Sequence, residues 1–155
     1  MKYQLAKQET DYYCFPACLQ AVLKRHGKEL TQRDIATKIA CNENGSNLNK
    51  VAEFLSQLGF DFDFLSYDTP HFTNPESFIK DKLIRNADIL VAQPNSKGYH
   101  LLLIEDLLSA ASSKSPMIKV VNPENSDIYF ADMHKLRELM SQRKSGGFCL
   151  IEKLN

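Results

Sequence analysis

Apolar residues at helical spacing dominate the first sixty positions of the chain, and alternation or short apolar runs dominate the rest. Ala17, Ala21 and Val22 share one helical face behind Pro16, which suits a first turn, and Gly27 is placed to stop the segment. The spacing therefore predicts a helix from about Cys14 to His26. Thr31, with Asp34 three residues later, resembles a capping box ahead of a short helix whose Ile35 and Ile39 mark one apolar face. Asn47 is a suitable cap for a third helix carrying Leu48, Val51, Ala52, Leu55 and Leu58, closed by Gly59. Three helices thus precede any strand.

After Gly59 the period changes to two: Phe60, Phe62 and Phe64 alternate with Asp61 and Asp63, as in a half-buried strand whose rings are core material. Asn74-Pro75 opens a further helix to about Asn86, with Phe78, Ile79 and Leu83 facing inward. The remainder reads mainly as strand: Ile89 to Ala92, His100 to Leu107, Met117 to Val121 and Phe148 to Leu154, with one short helix around His134 to Ser141. Ser109 to Pro116, rich in Ser and Ala, reads as a hairpin loop. Helices first and strands afterwards give an α+β class with an antiparallel sheet, the N-terminal helical half packed on the C-terminal sheet.

Length and composition narrow the picture further. The 155 residues fit one domain, 1–155, and 43% apolar with 25% charged residues is the balance of an ordinary globular protein. Nineteen basic residues offset nineteen acidic ones, so no net field would draw the chain to nucleic acid or an anionic membrane. The start, MKYQLAKQETD, lacks the apolar stretch of a signal peptide, and no run has the length of a membrane helix. A monomer resident in the cytoplasm is the expectation; export without a leader, as an effector, would leave no mark in the sequence. The four cysteines, 14, 18, 41 and 149, are too sparse for a disulfide scaffold and read as free thiols. His26, His71, His100 and His134 lack paired ligand spacing, so neither metal nor cofactor is expected.

Candidate chemistry begins with Cys14. A thiol attacks as thiolate, and a helix N-terminus favours that form through unpaired N–H groups and the positive end of the dipole. Cys14 sits at such a predicted end, whereas Cys18 is one turn inside. The same end would offer an N–H to an oxyanion, and Gln8 on the preceding loop is the candidate second donor. If the strands His100 to Leu107 and Met117 to Asn122 pair through the Ser109 to Pro116 loop, His100 comes nearly opposite Asn122. The amide oxygen of Asn122 would then orient the imidazole, leaving its other nitrogen to face the thiol. Each residue also has an ordinary role open to it: Cys14 as a small buried hydrophobe, Gln8 as a surface polar group, His100 as a half-buried strand histidine, Asn122-Pro123 as a turn dipeptide.

These residues occur within longer segments with a family likeness. Gln8-Glu-Thr-Asp-Tyr-Tyr-Cys14-Phe-Pro-Ala-Cys-Leu, the helix ending Arg-His-Gly27, Leu-Thr-Gln-Arg-Asp-Ile, Asn-Leu-Asn-Lys-Val-Ala-Glu-Phe-Leu-Ser-Gln-Leu-Gly, Gly98-Tyr-His100-Leu-Leu-Leu-Ile and Val-Val-Asn122-Pro123 resemble the double-glycine leader peptidases. Those are papain-like cysteine peptidases that process bacteriocin precursors at transporter N-termini; this chain resembles a stand-alone member. The resemblance implies a papain-like fold, no cofactor, and a peptide or protein tail as substrate. It implies Gln8 as oxyanion donor, Cys14 as nucleophile, His100 as general base and Asn122 as the orienting residue. Two positions depart from the family pattern: Phe15 comes after the nucleophile where Gly is usual, and Asn122 precedes Pro123 where Asp is usual. A ring at Phe15 is expected to narrow the cleft or alter access to the thiol. The same four residues would serve an isopeptidase or acyltransferase, and a degenerate relative of the same fold would bind a peptide without cutting it.

Overall fold

Local signals set the helix boundaries. In the computed structural model, which describes residues 1–68, 74–95, 98–108, 116–143 and 146–155, helix α1 spans Cys14–Arg25, with Pro16 in its first turn where its missing N–H is no loss. Its end is a Schellman arrangement: Gly27 takes φ +78, Lys28 N–H donates to Leu23 O at 2.9 Å, and Gly27 N–H to Lys24 O at 3.0 Å. Helix α2 (Gln32–Lys38) is capped by Thr31, whose side chain accepts from Asp34 N–H, and α3 (Leu48–Gln57) by Asn47, which accepts from Lys50 N–H. Helix α4 (Pro75–Ile84) begins after the cap Asn74. Helix α5 (Met133–Arg143) starts on Asp132, whose carboxylate accepts from the N–H groups of His134 and Lys135.

Six strands complete the described chain: β1 (Phe60–Ser66), β2 (Asp88–Asn95), β3 (Gly98–Leu108), β4 (Met117–Val121), β5 (Ile128–Asp132) and β6 (Gly147–Lys153). They form one sheet in the order β1-β6-β2-β3-β4-β5, with every pair antiparallel. The C-terminal strand thus lies between β1 and β2. Strand β5, a short segment directly after a turn, was not anticipated from the sequence. The loop expected at Ser109 to Pro116 and the loop histidine His71 lie outside the described residues, Pro116 excepted.

Both faces of the sheet are covered, which explains the sequence pattern of the central strands. On one face Leu90, Ala92, Leu101, Leu103, Cys149 and Ile151 pack with residues of α1, α2 and α3. On the other, Ile89, Val91, Leu102, Ile104, Phe148 and Leu150 pack with Ile79 of α4 and Leu136 of α5. Alternate side chains are buried in opposite directions, so these strands read as unbroken apolar runs. Strand β1 alternates because Asp61 and Asp63 are exposed while Phe60 is buried. The helical half expected on one face is therefore α1 to α3, and α4 and α5 form a further layer on the opposite face.

A buried polar hub joins α1 to the sheet. Asp88, 1% exposed at the start of β2, accepts from Tyr3 Oη, from Arg25 Nε at 2.9 Å, and lies 2.8 Å from His26 Nε2. The N-terminal arm is held by Glu105, which accepts from Lys2 N–H at 2.8 Å and Tyr3 N–H at 3.0 Å. Glu105 occupies a register shift between Ile104 and Asp106 in the β3–β4 ladder, the kind of bulge that re-aims a side chain. Among the described residues no helix is long and apolar enough to cross a membrane.

Removing one member of a buried charged network strands its partners. Asp88→Ala is expected to lose about 3–5 kcal/mol of unfolding free energy, read as a lower urea midpoint. Lys50→Ala, which deletes an exposed ion pair with Glu53, is expected to change it by less than ~1 kcal/mol.

Candidate active site

Cys14 is the first residue of α1, and its N-cap, Tyr13, makes no side-chain hydrogen bond to the helix end. The N-terminal N–H groups are thus left for other partners. Helix α1 packs on β3, and the backbone N–H groups of Leu101, Phe15 and Cys14 itself favour the Cys14 thiolate. Leu101 directly follows His100 in β3, the strand on which α1 packs. Burial nevertheless pushes the Cys14 thiol above its ordinary value, and its neighbour Cys41 adds to that; the three N–H groups pull the other way without cancelling it. The helix end does favour the thiolate, as its place in the sequence implies, but burial outweighs it.

His100 and Asn122 are brought together. His100 Nε2 lies 2.7 Å from Asn122 Oδ1. The same oxygen accepts from Glu124 N–H at 3.0 Å, which fixes the orientation of the amide, since a backbone N–H needs an acceptor. Nε2 must then be the protonated nitrogen, and Nδ1 is left as the basic one. The pairing that achieves this differs in detail from simple hairpin symmetry. Leu103 pairs with Val121, so one step further Asn122 comes level with Leu102, and His100 reaches it diagonally.

The Asn122-Pro123 dipeptide is also a turn. Ser126 N–H donates to Asn122 O at 2.7 Å, and Asn122 N–H to Asp127 O at 2.9 Å. Turn residue and imidazole partner are therefore one and the same side chain, not alternatives. Pro123 O in turn accepts from Gln8 N–H at 2.7 Å, which ties the Gln8 loop to the Asn122 turn. Gln8 Nε2 donates to Thr10 O at 2.9 Å, and Thr10 O also accepts from Tyr13 N–H at 3.2 Å at the foot of α1. One Nε2 hydrogen remains beyond that bond. Among the described residues Gln8 Oε1 is buried without a hydrogen-bond partner, a cost of about 1–3 kcal/mol.

Residues 2–109 match the peptidase C39 family. The chain belongs to that family. It is a cysteine-type peptidase, and its substrate is a peptide. The matched stretch includes Gln8, Cys14 and His100 and ends before Asn122. Two solved structures are similar to this peptidase in fold. One is the peptidase domain of Streptococcus ComA, a bi-functional ABC transporter involved in a quorum-sensing pathway, with a TM-score of 0.69, 16% identity, and 99% of each chain covered. The other is a double glycine motif protease from an AMS/PCAT transporter in complex with the leader peptide, with a TM-score of 0.66, 15% identity, and 99% of this chain and 93% of that one covered. No curated protein matches the sequence.

Phe15, singled out as a ring that would narrow the cleft or alter access to the thiol, is a core residue. Its ring is 6% exposed, within the core on the α1 face of the sheet, and stacks tilted on Phe62 at 6.2 Å between centroids. The adjacent position on a helix points elsewhere than the thiol, so the ring fills core volume. Of the other described histidines, His26 binds Asp88 and packs edge-on against Phe60, and His134 lies exposed in the first turn of α5. Among the described residues no three His, Cys, Asp or Glu side chains converge as a metal site. What the sequence did not reveal are backbone contributors, the Leu101 N–H and the Thr10 and Pro123 carbonyls, which carry no residue-type signature.

Native-state alkylation separates the four thiols. Cys18 and Cys149 are buried, with burial holding both thiols up, Cys149 at about 12, so iodoacetamide is expected to label only Cys14 and Cys41. Because burial raises the Cys14 thiol above its ordinary value, its thiolate fraction is still rising at pH 9. The Cys14 labelling rate should keep rising above pH 9, as followed by mass spectrometry. A plateau already reached near neutral pH would contradict this.

Proposed function

We propose that residues 1–155 act as one peptidase domain in which Cys14 is the nucleophile, His100 the general base, Asn122 the residue that orients it, and Gln8 an oxyanion donor. The observation that carries the reading is Asn122 Oδ1, which accepts from both Glu124 N–H and His100 Nε2–H and so leaves Nδ1 of His100 as its basic nitrogen. Cys14 rests as a neutral thiol. Nδ1 of His100 takes its proton as sulphur attacks the scissile carbonyl, and the resulting imidazolium returns a proton to the leaving amine. The developing oxyanion accepts from the second Nε2 hydrogen of Gln8 and the Cys14 N–H. Water then attacks the thioester carbon as it gives a proton to Nδ1, and the carbon–sulphur bond breaks as sulphur takes that proton back, which frees the acid.

The substrate proposed is an extended peptide or flexible tail cut after small residues. The support is the family membership together with the similarity to a double glycine motif protease seen with its leader peptide. Glycine residues let a chain lie close to a helix end, since no side chain intervenes.

Cleavage of a leader-type peptide ending in Gly-Gly, followed by mass spectrometry, tests the reading. Cys14→Ala is expected to abolish turnover and His100→Ala to lower kcat by about 10²–10⁴-fold. Gln8→Ala should cost about 10²–10³-fold in kcat. Cys18→Ala, in the core, should retain catalysis in the folded fraction. Full turnover by Cys14→Ala would rule out the nucleophile assignment.

A further inference from the structure

Gln32, the first residue of α2, is 1% exposed. A buried carboxamide has one acceptor and two donor hydrogens to satisfy, and each finds a partner here. Its Oε1 accepts from Glu9 N–H at 2.9 Å, and its Nε2 donates to Lys7 O at 3.0 Å and to Gln20 Oε1 at 3.2 Å. Gln20, on α1, is itself fixed by donating to Leu30 O at 2.9 Å. The two main-chain groups that Gln32 grips lie on either side of Gln8. The intervening N–H of Gln8 goes to Pro123 O at 2.7 Å.

Three main-chain groups around Gln8, namely Lys7 O, Gln8 N–H and Glu9 N–H, are thus each held by contacts from elsewhere in the fold. This matters because the segment from Met1 to Gln8 forms no helix or strand, so no regular ladder fixes its course. Side-chain to main-chain bonds supply the fixation instead. One amide that both donates and accepts imitates the pairing of a neighbouring strand and sets the rotation of the Gln8 Cα as well as its position.

We propose that Gln32 is a positioning residue for the oxyanion site: it clamps the backbone on both sides of Gln8 so that the Gln8 amide stays aimed at the developing charge. The inference rests on the oxyanion role proposed for Gln8. Preorganised donors contribute most when they need not move as charge develops, and a misplacement near 1 Å can cost on the order of 10²-fold in rate. Leu at this position would remove both grips. Glu would keep the acceptor for Glu9 N–H and lose the donors to Lys7 O and Gln20.

Two probes of the same thiol distinguish positioning from general support of the fold. A peptide aldehyde ending in glycyl-glycinal adds the thiol across its carbonyl, sulphur to carbon and proton to oxygen, and so uses the oxyanion site. Iodoacetamide reacts at its saturated carbon, where sulphur displaces iodide, and forms no oxyanion. For Gln32→Leu the expected result is a loss of aldehyde affinity on the order of 10-fold to 10²-fold, with the Cys14 alkylation rate close to that of the unaltered protein. In a Gln8→Ala background, Gln32→Leu should add no further loss. Equal losses with both probes, full additivity with Gln8→Ala, or unchanged aldehyde affinity would each overturn the inference. Should Gln32→Leu fail to fold, Gln32→Glu is read by the same criteria. If Gln8→Ala alone leaves aldehyde affinity intact, the Gln8 assignment itself falls, and that outcome is distinguishable from failure of Gln32 alone.

Discussion

The site depends on one short turn. Asn122 Oδ1 binds Glu124 N–H and His100 Nε2, and the next carbonyl, Pro123 O, binds Gln8 N–H. A single peptide turn thereby fixes an imidazole tautomer and anchors the loop of a carboxamide more than a hundred residues away in sequence. The turn is stiff for local reasons: proline restricts its own φ, and the Asx bond from Asn122 closes the chain on itself. Stiffness there is transmitted to His100 and Gln8 because each is joined to the turn by a short direct bond.

The other half of the geometry comes from the way α1 is seated. Its C-terminal end is fastened by Arg25 and His26 to the buried Asp88, and its N-terminal end carries Cys14 on a helix packed against β3. A helix held at one end and packed along its length has little freedom to shift the other, so the thiol's position depends on a polar hub at the opposite end. Burial of the thiol works against its ionisation while the helix end and the Leu101 N–H favour it. Under the proposed mechanism this balance keeps the resting sulphur neutral and assigns the proton transfer to the imidazole during attack, not before it.

Much of the architecture was legible in the chain because its signals are local. Caps at Thr31, Asn47 and Asn74 and stops at Gly27 and Gly59 act within a few residues, and each appears where its chemistry placed it. Strand β5 is hard to read from sequence because Ile128–Asp132 comes directly after a turn and lies at the sheet edge, with Ile128, Tyr129 and Phe130 all partly exposed and hence without clean alternation. Phe15 misleads for a different reason. Adjacency to Cys14 in sequence suggests adjacency in the cleft, but neighbouring positions on a helix diverge by about 100°, and the ring belongs to the core.

The sequence by itself determined the class of fold, the order of helices and central strands, and which thiol, imidazole and amides were candidates, since these rest on periodicity, capping chemistry and residue type. Tertiary structure alone decided that β6 enters between β1 and β2, that His100 meets Asn122 diagonally, and that Gln32 reaches around Gln8. Each of these is a contact between segments distant in the chain. Such contacts are selected by the packing of whole layers and by the need to satisfy every buried polar group, and neither is encoded at any single position.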